Sequence, residues 1–97
     1  MTLAEFRAAL ALADPPAGLS TALRALWLDG KGEWDAAHRS VDDPDTAEGA
    51  RVHAYLHRKE GDLSNARYWY DRAGAAPFDG PLEREWESLV RELLASP

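Results

Sequence analysis

Gly61-Asp62-Leu63-Ser64-Asn65-Ala66 decides how this chain folds. It reads Gly-acid-apolar-x-x-Ala and follows a run with helical apolar spacing. Glycine is the residue that most readily stops a helix, and an aspartate directly after it is a good cap for the next one. The alanine places a small side chain where the second helix crosses the first. Gly32-Glu33-Trp34-Asp35-Ala36-Ala37 repeats the pattern 29 residues earlier. Two copies predict two stacked antiparallel helical hairpins, a repeat-like architecture.

Working outward from these turns, the sequence divides into six helices and no strands. The hairpin around Gly61 joins a helix over 45–60 to one over 63–73. Asp45-Thr46-Ala47-Glu48 opens the first of these, with Asp45 as cap. Gly74 closes the second. The hairpin around Gly32 joins a helix starting at 19 or 20 and running to 29 to a short one over 33–41. Asp42-Asp43-Pro44-Asp45 interrupts the chain between the hairpins. A helix over 2–13 precedes them, with Thr2 and Glu5 forming a capping box and Asp14-Pro15-Pro16 as the stop. A helix over 81–95 follows them, started by Gly80-Pro81-Leu82-Glu83. Leu82, Trp86, Leu89, Val90, Leu93 and Leu94 line one of its faces. Glu83, Arg84, Glu85, Glu87, Arg91 and Glu92 cover the other, with Glu87 and Arg91 spaced as an ion pair. A one-sided terminal helix is suited to sealing the end of a stack.

A chain of 97 residues is one domain with one modest core. Four tryptophans are many for this length, and each can bury a large area. The absence of cysteine rules out disulfides, thiolate metal sites and thiol nucleophiles, and suits a cytoplasmic protein. A net charge of −6 disfavours nucleic acid, whose binders are basic. No apolar run approaches the roughly 20 residues of a membrane span, and no secretory signal is visible.

Residues 50–77 resemble a tetratricopeptide repeat. Ala54, Gly61, Asp62, Ala66, Tyr70, Ala73 and Pro77 follow that family's order, with Pro77 one position early. Ala25, Gly32, Trp34 and Ala37 echo it in the first hairpin. The 29-residue spacing is shorter than the repeat's roughly 34. The strings Trp34-Asp35-Ala36-Ala37-His38, His53-Ala54-Tyr55-Leu56-His57-Arg58-Lys59-Glu60-Gly61-Asp62 and Ala66-Arg67-Tyr68-Trp69-Tyr70-Asp71-Arg72-Ala73-Gly74 resemble a family of small bacterial proteins. That second resemblance implies a bacterial source and a helical fold, and brings no activity with it. The first implies two tetratricopeptide-like hairpins between an N-terminal helix and a C-terminal capping helix.

Three constellations can carry function. His53 and His57 stand one turn apart, a spacing that lets two imidazoles reach one ion. They fall among Ala50, Val52, Ala54 and Leu56 on the side of their helix opposite the basic residues, so both point toward the core. His38 shares a face with Trp34, Ala37 and Val41. All three histidines are therefore expected to be at least partly buried, either as neutral core residues or as a metal, ligand or acid–base site with Asp35 or Glu60. Tyr68-Trp69-Tyr70 sweeps too far around a helix to face one groove. Tyr68 or Trp69 must pack on another helix, with Trp86 one candidate, or remain as an aromatic anchor for a partner. Arg51, Tyr55, Arg58 and Lys59 form the basic side of the 45–60 helix, where a tetratricopeptide groove would lie.

The expectation is a non-catalytic interaction module that needs no cofactor. Arg51, Tyr55, Arg58, Lys59, Tyr68 and Trp69 would meet a protein or peptide segment, acidic by complementarity, or a second copy of the chain. The rival is a small metal- or ligand-binding protein or enzyme built on His38, His53 and His57. Ring nitrogens within reach of a common point that opens to a pocket would favour this rival; rings separated by packed side chains, each bonded to backbone, would favour neutral core histidines.

Overall fold

The computed structural model describes residues 1–42 and 46–95, and there the chain is all helical. Helices α1 (Leu3–Ala8), α2 (Thr21–Gly30), α3 (Trp34–Ser40), α4 (Ala47–Lys59), α5 (Leu63–Ala73) and α6 (Leu82–Ala95) follow in order, with a 3-10 turn at Ala9–Ala11 after α1. None of them is long and apolar enough to cross a membrane.

Both Gly-acid turns close as the motif requires. Gly32 and Gly61 adopt φ values of 82° and 89°. The amide of Gly32 donates to Asp29 O and that of Glu33 to Leu28 O; the amide of Gly61 donates to Arg58 O and that of Asp62 to His57 O. This paired bonding is the Schellman closure, which satisfies carbonyls that a helix end leaves open. Gly74 repeats it, with Ala75 donating to Tyr70 O. Asp62 then caps α5 by accepting from the Asn65 amide at 3.2 Å. The result is two hairpins, α2 with α3 and α4 with α5, and α6 lies against α1, α2 and α4.

Phe6, Leu26, Trp27, Val41, Val52, Leu56, Leu89 and Val90 are the largest fully buried side chains and form the core between these elements. The large aromatics are held at their polar tips as well as by packing. Trp27, Trp34 and Trp86 donate their indole N–H groups to the carbonyls of Ala9, Leu56 and Leu26. Among the described residues, every buried side-chain nitrogen and oxygen has a partner.

Four expectations need correction. The first helix was expected to reach residue 13, but α1 ends at Ala8 and Leu12 is extended. The Ala9 carbonyl accepts from Leu12 N in the 3-10 turn and from the Trp27 indole, and Pro15 and Pro16 have no N–H to offer the Ala11 and Leu12 carbonyls, so the ladder stops there. At α4, Thr46 caps the helix through the Gly49 amide at 3.0 Å, one residue after the expected cap; Asp45 lies outside the described residues. Glu85, expected on the solvent face of α6, is 2% exposed. It accepts from Arg58 Nη1 at 2.9 Å and from the Tyr70 hydroxyl, tying α6 to α4 and α5. Tyr55, expected on the basic face of α4, is buried and donates to Asp29 Oδ2 at 2.6 Å.

Candidate metal centre

Helix α4 is buried on nearly all sides. Val52, Tyr55 and Leu56 face the main core, while Ala54 packs against Ala66 and Tyr70 of α5. His53 and His57 occupy the sector between these two contacts. They are 2% and 6% exposed. His38 projects from α3 into the same sector and keeps one edge toward solvent, its side chain 23% exposed. The helix crossing of the first hairpin over the second thus brings together histidines 15 and 19 residues apart in sequence.

Two indoles wall the cluster. Trp34, one turn before His38 on α3, stacks on its ring with centroids 5.0 Å apart. Trp69 of α5 stacks on His53 at 4.0 Å. Between these walls, His53 and His57 stack at 4.7 Å, and His38 meets both edge-on at 4.6 and 5.0 Å. Trp69 therefore packs on a histidine, and Trp86 pairs instead with Phe6.

The outer contacts fix which nitrogens carry protons. His53 Nδ1 lies 2.9 Å from Val41 O, and a carbonyl can only accept, so Nδ1 holds the hydrogen. That leaves the Nε2 lone pair of neutral His53 facing His38 Nε2, which donates to it across 3.0 Å. His57 Nδ1 lies 2.5 Å from Glu60 Oε1 and donates to it, while its Nε2 accepts from the Asn65 side-chain amide at 3.3 Å. Burial pushes the pKa of His53 down to about 4, and the neighbouring His38 and His57 charges push in the same direction. The Val41 carbonyl opposes them only in part. His53 is thus a neutral imidazole at pH 7 with an available lone pair.

One ring nitrogen from each of His38, His53 and His57 lies within 4.8 Å of the others. Each of the two buried rings is held at its far nitrogen by a carbonyl or carboxylate. That is the outer arrangement that orients metal-ligating histidines. Asp42, on the open side, places Oδ1 4.0 Å from His38 Nε2. His57, Glu60 and Asp62 also lie close together, but Asp62 is committed to capping α5 and Glu60 to orienting His57. Asp35 stands on the exposed side of α3, away from the cluster.

The residues expected to meet a partner are largely engaged within the chain. Arg51 pairs with Glu92, Arg58 with Glu85 and the Gly80 carbonyl, and Lys59 with Asp29 at 2.9 Å. Tyr55 is interior and Trp69 belongs to the histidine cluster. Tyr68 is half-exposed and accepts from Arg72.

Sequence reasoning identified the three histidines and one carboxylate around them, Glu60. It missed the Val41 carbonyl, Asn65, Asp42 and the stacked indoles. The Trp34–His38 spacing of four was a readable signal for one wall. No protein-family model, curated protein or solved structure matches the chain.

Proposed function

We propose that this domain binds one divalent transition-metal ion through His38, His53 and His57. The observation that carries the reading is the convergence of three imidazole nitrogens whose outer sides are anchored, at His53 and His57, by Val41 O and Glu60. An ion with bonds of about 2.0–2.1 Å sets neighbouring donors roughly 3.3 Å apart in a tetrahedron. The 3.0 Å between His38 and His53 is already near that value. His57 has further to come, and its Nε2 must give up the Asn65 amide. His38 must also move its proton from Nε2 to Nδ1.

Neutral imidazoles favour zinc, copper, nickel and cobalt over magnesium or calcium, which prefer oxygen. An ion bonded to both α3 and α4 binds only the folded chain, so it raises stability by mass action. The interaction-module reading has less to draw on. Most of its cations are paired internally, which leaves Tyr68 and the outer face of α5 as its main surface.

The test is native mass spectrometry of protein purified without chelator or affinity tag, followed by zinc titration. One equivalent of metal and a higher Tm are expected, with both lost in His53→Ala. A bare chain whose Tm is unmoved by excess zinc, nickel, copper or cobalt would overturn the proposal.

A further inference from the structure

We infer that Asp42 supplies a fourth ligand, closing the three-histidine site into a tetrahedral centre of three nitrogens and one oxygen. The inference rests on the metal reading above and adds the identity of the last ligand.

The direction of approach comes first. His53 and His57 are buried, with Trp69 and the Val41 backbone against the His53 ring. His38 alone keeps an edge toward solvent. The remaining vertex of a tetrahedron built on these rings therefore opens on the His38 side. Asp42 stands there, four residues after His38 and just beyond the end of α3.

Distance and freedom agree. Asp42 Oδ1 is 4.0 Å from His38 Nε2, and His53 Nε2 is 3.0 Å from the same atom. These separations bracket the roughly 3.3 Å expected between donors on a tetrahedral ion. The Asp42 carboxylate lies outside the 4.8 Å cluster that the three histidines form, and its 68% exposed side chain is free to swing inward to join it without breaking core packing. The neighbouring carboxylates are committed elsewhere, Glu60 to the far nitrogen of His57 and Asp62 to the cap of α5.

Electrostatics gives a third argument. Asp42 lies past the C-terminus of α3, where the helix dipole disfavours an anion. A cation at the histidines reverses that sign. The carboxylate in turn lowers the net charge of an ion enclosed between two indoles, where solvation is poor. The competing arrangement is an open vertex holding water, as in catalytic zinc sites.

Cobalt substitution separates the two. Wild-type protein, Asp42→Ala and His53→Ala are loaded with Co²⁺, and their visible d–d spectra are followed during titration with azide. The wild-type spectrum is expected to be tetrahedral and unmoved by azide. Asp42→Ala is expected to bind cobalt roughly tenfold or more weakly and to shift its spectrum as azide occupies the vacated position. An azide response in the wild type as large as in the variant overturns the assignment, as does unchanged affinity in Asp42→Ala. If the wild type gives no more cobalt absorbance than His53→Ala, the metal reading itself falls and this inference with it.

Discussion

His53 is a base kept neutral by its surroundings, and this has a measurable cost in acid. Its pKa falls from 6.5 to about 4 on folding, chiefly through burial. The unfolded chain therefore takes up the proton first as pH drops. The contribution of this group to stability is complete above pH 6.5 and is lost progressively between 6.5 and about 4. At most about 3 kcal/mol is involved, from the size of the shift. Urea denaturation of chelator-treated protein should show a midpoint that falls over this window. His53→Asn should flatten the fall, and parallel curves for the two proteins would refute the assignment.

At the scale of elements, the helix ends control the hairpins. Gly61 has φ near 89°, and a Cβ built there meets nothing within 4 Å. Replacing it with alanine therefore costs only backbone strain, about 1–2 kcal/mol for an L-residue in the left-handed region. Asparagine tolerates that region and should cost less. Thermal unfolding of Gly61→Ala and Gly61→Asn checks the order.

These ends were also the most legible parts of the chain. Thr2, Ser20, Asp62 and Gly74 act through partners within a few residues, so local sequence contains the whole interaction. Where an element depends on distant partners, reading fails. Trp27 reaches the Ala9 carbonyl at the end of α1 across 18 residues, and Glu87 pairs with Arg7 across 80 residues in place of Arg91. The candidate site divides along the same line. The His53–His57 spacing is local and visible. The approach of His38, and of Trp69 to His53, depends on how α3 and α5 pack on α4, which no single stretch encodes.

Across the whole molecule, one buried polar cluster ties the second hairpin to the terminal helix. Glu85 of α6 receives Arg58 from α4 and Tyr70 from α5. Burial and the Glu85 carboxylate push the Tyr70 pKa upward, so the hydroxyl stays protonated and remains a donor. Removing Glu85 takes away the shared acceptor of the buried Tyr70 hydroxyl and the part-buried Arg58 guanidinium. Glu85→Ala should cost about 3 kcal/mol or more, by comparison with other broken buried ion pairs. Arg58→Ala should also destabilise, and the double variant should cost clearly less than the sum because both remove the same interaction. Additive losses in chemical denaturation would show that the cluster does not act as a unit.

The division of the four tryptophans has a spectroscopic consequence. Trp27 and Trp86 sit in the main core, while Trp34 and Trp69 lie face to face with His38 and His53. The chain therefore carries two pairs of natural fluorophores with different ring neighbours, Trp34 also packing against the edge of the main core. Keeping Trp69 alone gives emission that follows the imidazoles, and keeping Trp27 and Trp86 gives emission that follows the core, so the two can be timed independently in a label-free sample.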